Sequence, residues 1–435
     1  MVRGWTSWGR LYEVATPPVR FQRARLTAFF SGHQDLLPIG CKRSYGDICL
    51  LTEGQSVSMC NQDHFLSWDQ QSGILKVQAG VTLADVLAFC VPRGWFLPVT
   101  PGTKYVSVGG AIANDIHGKN HHQVGTFGRF VRAFSLLRSD GEVLLCAPDQ
   151  EAGLFSATIG GLGLTGFLLW AEIQMIPIQS SYMRVKATQF VGLDAFFELG
   201  QQAQSPYTVA WIDTLSRCSG RAKIRGVFLE GHHGRVSDGP LSIHGTSNWK
   251  VPCAPSFSLL NRNTVRIFNS AFYHKQISER REWVQHYDPF FYPLDGVENW
   301  NRFYGKRGLY QFQCVVPLHQ VQVLQTLLDK VAESRDVSFL SVLKVFGALQ
   351  SPGMLSFPQE GVTLCLDFPN RGVSTRILMS QLTDMVIAVG GRLYPAKDAT
   401  MSGRAFKQFY PEWESFLVYK DPLINSDFWK RMMHV

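Results

Sequence analysis

The chain has 435 residues, 45% of them apolar and only 17% charged. That composition excludes a disordered or low-complexity chain and implies two or three domains' worth of buried core. Its 42 basic against 34 acidic side chains leave a formal charge of +8, which suits an anionic ligand, an anionic membrane surface or nucleic acid and by itself selects none of them.

The N-terminus, MVRGWTSWGRLYEV, lacks the apolar segment that a secretory signal requires. The most apolar stretch, FLLWAEIQMIPI from Phe167, is interrupted by Glu172 and Gln174, so no spanning helix is expected. Nine cysteines, an odd number with no CxxC pair, read as buried free thiols of a reducing compartment. The expectation is a cytoplasmic protein, with peripheral contact at the inner membrane face left open.

Residues 56–59 (SVSM) and 73–80 (GILKVQAG) read as strands. Residues 81–94 place Leu83, Val86, Leu87 and Cys90 on one helix face, ending near Pro92 and Gly94. Two glycine clusters follow, at 102–128 and 153–166, and then the alternating strand FLLWAEIQM. Beyond Pro177 the composition shifts. Residues 182–230 read as β-rich and 234–262 as loop. Strands are expected at 310–317, 339–347 and 362–369, and helices at 318–334 and 376–389. The pattern is that of an α+β protein with one sheet covered on one side.

GLGLTG at 161–166 matches the dinucleotide fingerprint GxGxxG but lies in the wrong context. The fingerprint needs a strand before it, a helix after it and an acid about 20 residues on. Here a strand follows, and the next acid after Glu172 is Asp194. The clusters read instead as close backbone approaches to a ligand. Within 99–120, Pro101-Gly102-Thr103 makes a turn and Val108-Gly109-Gly110 opens a short helix, whose N–H groups suit a pyrophosphate. Asp115, His117, His121 and His122 suggest a metal, but Gly118 and Asn120 break the helical spacing and no cysteine completes a set, so none is expected. In the 362–368 strand, alternation puts Val362, Leu364, Leu366 and Phe368 on one face and Thr363, Cys365 and Asp367 on the other.

RSYGD at 43–47, PGTKYVSVGGAIANDIHGKNHH at 101–122, TIGGLGLTG at 158–166, LCLDFP at 364–369 and GGRLYPAKD at 390–398 occur in this order. From about Gly4 to the C-terminus the chain thereby resembles the FAD-dependent oxidoreductases of the vanillyl-alcohol-oxidase, or PCMH-type, fold. The resemblance implies an α+β architecture. A two-part FAD-binding domain, 1–177 closed by a C-terminal return at 391–435, surrounds an inserted substrate-binding domain at 178–390, built on an antiparallel sheet with flanking helices.

It further implies flavin contacts from Arg43, Ser44, Tyr45, Gly46, Pro101, Gly102, Thr103, Gly109, Gly110, Ala113, Asn114, His117, Gly118, Gly166 and Lys397. Asn114 departs from the pattern, since a member of that family carries a cysteine there. The RSYGD loop has Tyr45 and Asp47 but no histidine, so the FAD should be non-covalent. Lys397 and Tyr394 are implied as catalytic, and Lys119, Gln311, Gln313, Lys344, Cys365 and Trp211 as substrate-binding.

The implied reaction is oxidation of the C2′ hydroxyl of a polyprenyl-phosphate-linked ribose by hydride transfer to flavin N5, the first half of an epimerisation. A short-chain NADH-dependent reductase is the implied partner, and no nucleic acid is. The alternatives are an FAD oxidoreductase acting on a soluble alditol, aldonolactone or 2-hydroxy acid, and a flavin-binding scaffold without turnover.

Overall fold

The computed structural model describes residues 4–434 apart from 33, 217–223, 246–248, 276–279 and 335. A small parallel sheet sets Val19–Arg20 and Leu36–Ile39 on either side of Gln55–Ser58. Alternation sends Leu36 and Val57 into the main core, while Leu37 and Ile39 pack with Trp5, Val14, Leu50 and Leu51 on the other face.

Next to it lies a five-stranded antiparallel sheet in the order Val143–Cys146, Val131–Leu137, Phe167–Gln174, Ile74–Gln78, Phe65–Asp69. The strands expected at 73–80 and from Phe167 pair with each other, from Trp170 opposite Gln78 to Gln174 opposite Ile74. The first helix after Ile74–Gln78 is Leu83–Cys90. Thr82 caps it by a reciprocal bond with Asp85, and it buries the four positions its spacing predicts, Leu83, Val86, Leu87 and Cys90. A single 3-10 turn, Val91–Arg93, then runs into Gly94 at φ 80°.

An eight-stranded antiparallel sheet follows in the order Arg280–His286, Tyr182–Val191, Arg225–His233, Tyr207–Asp213, Ser341–Phe346, Gly361–Pro369, Leu309–Val316, Arg392–Leu393. Val362, Leu364, Leu366 and Phe368 pack into one core with Leu324, Leu327, Leu328 and Val331 of helix Gln322–Glu333 and Leu378, Met379 and Leu382 of helix Val373–Ala388. The opposite face is polar, as the alternation predicts. The C-terminal segment adds the edge strand, Leu393 pairing with Cys314, and then turns back to the N-terminal sheet. There the Leu36 N–H donates to Leu423 O and the Asp427 N–H to Leu50 O.

Three expectations need correction. The β-rich stretch is interrupted by helix Leu193–Gln202, whose only buried side chain, Phe196, leaves little periodic signal. The two later helices start at Gln322 and Val373 instead of 318 and 376. Cys60 and Cys253 are exposed, because they sit in surface turns and loops, while Cys90, Cys146 and Cys314 are buried. Cys218 lies outside the described residues. Among the described residues, no helix is long and apolar enough to cross a membrane.

Candidate active site

The polar face of the large sheet is assembled by register. Gln313 lies opposite Cys365 and Cys365 opposite Val342; Gln311 faces Asp367, and Lys344 faces Thr363. Paired residues project to the same side. Gln311, Gln313, Lys344, Thr363, Cys365 and Asp367 therefore share one surface. Trp211, paired with Val342, is on this face too, but farther out. It packs with Ala187 and Val227 and against the Phe272 ring at 4.7 Å.

One loop of the N-terminal part and the C-terminal return close over this surface. From 101–122 comes His117, which is buried. The Gln313 Nε2–H donates to its Nε2 at 2.9 Å and to Thr363 Oγ1 at 3.3 Å. The His117 ring is boxed by Phe346, Phe357 and Tyr394, with centroids 4.9–5.6 Å away. Burial, and then the neighbouring Lys344, hold its pKa well below the usual range, so the imidazole is neutral. From the C-terminal return comes Tyr394, stacked on Phe357 at 4.8 Å, its O–H donated to Asn114 O at 2.9 Å. Burial raises its pKa, so the phenol keeps its proton.

Three lysines converge here. Lys397 Nζ sits 4.1 Å above the centre of the Tyr45 ring. Lys119 Nζ donates to Phe291 O at 3.2 Å. Lys344 projects from its strand between them. Burial lowers all three pKa values, Lys119 to about 7 and Lys344 to about 8; Lys344 repels Lys119 further, while at Lys344 Cys365 opposes the effect and Lys397 adds to it. Cys365 and Asp367 partly offset it at Lys397. Asp367, buried, is pushed up to about 7 by desolvation, against the pull of Gln311, Lys397 and Tyr304. Its carboxylate accepts from Gln311 Nε2 and from the Tyr304 hydroxyl. The cluster is thus rich in cations that lose hydration and have few carboxylates to pair with, an environment that favours an anion.

The 43–47 loop meets the C-terminal return directly. The Tyr45 N–H donates to Ala396 O at 2.9 Å, and a Cβ on Gly46 would fall 1.8 Å from Asp398 O. Arg43 lies over the Trp8 ring at 4.2 Å and donates to Tyr105 O, while Ser44 O accepts from the Trp8 N–H. Asp47 and Asp398 both bind Arg431 of the last helix, Asp47 with two bonds of 2.8 Å.

In the 101–103 turn, Thr103 Oγ1 accepts from the Tyr105 N–H and Pro101 precedes Gly102, where a Cβ would meet no protein atom within 4 Å. The short helix is Val108–Ala113, capped by Ser107. Its Gly109 packs on Ala79, Gly110 faces Ser107 Oγ, and the Ala113 carbonyl accepts from the Leu162 N–H. Gly118 lies against Thr100 O, and Gly166, at φ 144°, against Leu137 O. Gly109, Gly118 and Gly166 therefore have reasons within the chain to be glycine. The stretch 161–166 follows helix Ala152–Thr158 and precedes strand Phe167–Gln174, the reverse of the dinucleotide-fold order.

Sequence reasoning did not single out Asp367, Thr363 or Tyr304 as site members. The alternation that exposed Cys365 already put Thr363 and Asp367 beside it; Tyr304 had no signal. Asp115 accepts from the Gly128 N–H and from Ser356 Oγ. Among the described residues, no three His, Cys, Asp or Glu side chains gather in a metal-holding group.

Residues 25–147 match an FAD binding domain. The chain is 34% identical to decaprenylphosphoryl-beta-D-ribose oxidase of Mycolicibacterium smegmatis, over 98% of this chain and 96% of the relative. It is 31% identical to an uncharacterised protein of Streptomyces coelicolor over 77% of this chain and 94% of that one. A putative D-arabinono-1,4-lactone oxidase of Neurospora crassa is 29% identical, but over only 32% of this chain and 24% of its own. The domain and the relatives define an FAD-dependent oxidoreductase with a PCMH-type FAD-binding domain. Within that class, the chain belongs to the decaprenylphosphoryl-ribose oxidase family.

The residues present fit an FAD. Among the described residues, Asn114 Oδ1, His117 Nδ1 and Gln311 Oε1 are buried without hydrogen-bond partners. Such atoms are costly unless a polar ligand meets them. The lysine cluster and the unobstructed Gly102 turn add charge and room.

Proposed function

We propose that this protein oxidises the C2′ hydroxyl of a polyprenyl-phosphate-linked ribose to the keto sugar, the first half of an epimerisation, using non-covalently held FAD. The observation that carries the reading is the convergence of Lys119, Lys344 and Lys397 on the Gln313–His117 pair. The substrate named for the Mycolicibacterium relative supports it.

In this reading 1–177 and 391–435 form the FAD-binding unit, and 178–390 supply the substrate side. Arg43, Ser44, Tyr45 and Gly46, the 101–103 turn, Gly109, Gly110, Ala113, Asn114, His117, Gly118 and Gly166 wrap the cofactor. Bound FAD supplies a hydride acceptor for the carbinol carbon. Lys397, whose pKa burial lowers, takes the hydroxyl proton. The resulting ammonium stands where negative charge collects.

Lys119 and Lys344 hold the phosphodiester. Gln311 and Gln313, themselves fixed by Asp367 and His117, orient the sugar, and Cys365 lines its pocket. Tyr394 acts as a positioning residue through Asn114. A lipid-linked anionic substrate brings the protein to the inner membrane face, and a short-chain NADH-dependent reductase completes the epimerisation.

Anaerobic titration tests the substrate. The flavin is expected to bleach with polyprenyl-phosphoryl ribose and not with free alditols, aldonolactones or 2-hydroxy acids. Equal bleaching by a soluble alcohol would replace this reading with the alternative, which the arabinonolactone oxidase likeness supports only over the FAD-binding part.

Acid precipitation should leave the flavin in the supernatant. A yellow pellet would show a covalent bond.

The two phosphate-holding lysines also set a pH dependence. An anion binds their protonated forms, so its affinity is full below about pH 7 and falls as pH rises through the free-enzyme values of about 7 for Lys119 and about 8 for Lys344. KM for the lipid-phosphate substrate should therefore rise between pH 7 and 9. A KM that is flat over this window would remove both lysines from phosphate binding.

A further inference from the structure

Asp115 is fully buried and stands two residues before His117, just past helix Val108–Ala113. Its backbone takes φ 38°, a conformation that Asp and Asn adopt more readily than most residues. Three donors converge on its carboxylate. Oδ1 accepts from the Gly128 N–H at 2.8 Å, and Oδ2 accepts from Ser356 Oγ at 2.6 Å and from Ser351 Oγ. Neither hydride nor proton transfer, as proposed, uses this group.

The bond to Gly128 closes the neck of a loop. Inside it the Phe127 N–H donates to Ile116 O at 2.9 Å, and His117 pairs with Thr126 in an antiparallel bridge. The loop so closed carries His117 and Lys119. Its neck is tight enough that a Cβ on Gly128 would fall 2.8 Å from Asp115 Oδ1 and 3.4 Å from Pro352 Cγ.

The two serines belong to the other side of the site. They lie in the connection between strands Ser341–Phe346 and Gly361–Pro369, which carry Lys344, Thr363 and Cys365. Their hydroxyls are 2.8 Å apart, and the Gly353 N–H donates to Ser351 Oγ at 2.9 Å. Phe357 follows Ser356 directly, with its ring 5.6 Å from His117 and 4.8 Å from Tyr394. Ser356 O accepts from Arg392 Nη1 at 3.1 Å, which draws in the C-terminal return. One carboxylate thus ties the loop of His117 to the sheet and, through Ser356, to the segment that bears Tyr394 and Lys397.

We propose that Asp115 is a positioning residue, which sets where His117 stands against the sheet that supplies Gln313, Lys344 and Cys365. The proposal rests on the reading of His117 as a flavin contact and of the sheet as the substrate side. Transfer between two bound groups needs an approach of about 3–3.5 Å, and a misplacement of about 1 Å costs on the order of 10²-fold in rate.

Three variants of the FAD-loaded protein test it. Asp115→Asn keeps the geometry, since its Oδ1 can accept from the Gly128 N–H while its Nδ2 donates to both hydroxyls, turned round. Asp115→Ala removes all three bonds. Ser351→Ala with Ser356→Ala removes only those that cross to the sheet side. Per bound FAD, Asp115→Ala should bleach about 10²-fold more slowly in single turnover, with displaced flavin absorbance maxima. Asp115→Asn should stay within about threefold of wild type and keep the wild-type maxima. Hydrogen exchange, which needs no substrate, should rise in both 116–127 and 351–357 in Asp115→Ala and in neither in Asp115→Asn. If Asp115→Ala does not fold, the double serine variant is read in its place, with the same slowing and the same two segments.

Wild-type bleaching in Asp115→Ala overturns the proposal. So does an Asp115→Asn as slow as Asp115→Ala, or exchange that rises in one segment alone. If wild-type flavin does not bleach with polyprenyl-phosphoryl ribose, the substrate reading fails instead, and the exchange and absorbance of the variants still decide the role of Asp115.

Discussion

Lys397→Ala is expected to retain FAD and to lose about 10³-fold in kcat, the range for removing a positioned proton acceptor that also stabilises charge. The argument is geometric. Lys397 Nζ lies over the Tyr45 ring at 4.1 Å, and burial lowers its pKa toward the range in which an amine accepts a proton. The turn that carries it is held by main-chain bonds independent of the side chain, from the Lys397 N–H to Tyr394 O and from the Tyr45 N–H to Ala396 O. Absorbance of the purified variant reads FAD retention, and single-turnover bleaching reads chemistry. Wild-type bleaching rates would remove Lys397 from the mechanism, whereas colourless protein would make it a cofactor anchor.

Gly46→Ala and Gly102→Ala should separate two reasons for glycine. At Gly46 a Cβ would fall 1.8 Å from Asp398 O and 3.1 Å from Ala399 Cα, both main-chain atoms. One segment must move, at a cost of about 3 kcal/mol by the usual scale of overpacking. The segments in question are the 43–47 loop and the turn bearing Lys397. A lower Tm, even without FAD, and poor flavin retention are expected. At Gly102 a Cβ meets nothing of the chain within 4 Å. Gly102→Ala should leave the FAD-free Tm unchanged and weaken FAD binding only. If Gly102→Ala binds FAD as tightly as wild type, that turn does not lie against the cofactor.

Much of this arrangement is legible in the chain because it is local. Period-two alternation separates Val362, Leu364, Leu366 and Phe368 from Thr363, Cys365 and Asp367, and helical spacing selects Leu83, Val86, Leu87 and Cys90. The order of GLGLTG and its strand suffices to reject a dinucleotide fold. What could not be read depends on partners far apart in the chain. Asp47, within a recognisable motif, binds Arg431, 384 positions away, and so ties the loop to the last helix. The Tyr394 hydroxyl, implied as catalytic by resemblance, donates to a carbonyl 280 residues away. The glycine clusters, read as ligand cradles, include Gly109, Gly118 and Gly166, whose constraint comes from the chain's own backbone.

By itself the sequence determined the local periodicities, the ordered motifs of an FAD oxidoreductase and an excess of positive charge. Periodicity and motif order survive in one dimension because they involve neighbours within a few residues. Only the tertiary structure decided which polar side chains meet. Cross-strand register puts Gln311 against Asp367 and Gln313 beside Cys365, and the closing loops bring His117, Lys119 and Lys397 onto that face. The lowered lysine pKa values follow from that meeting, since desolvation and repulsion depend on distances in space that chain position does not encode.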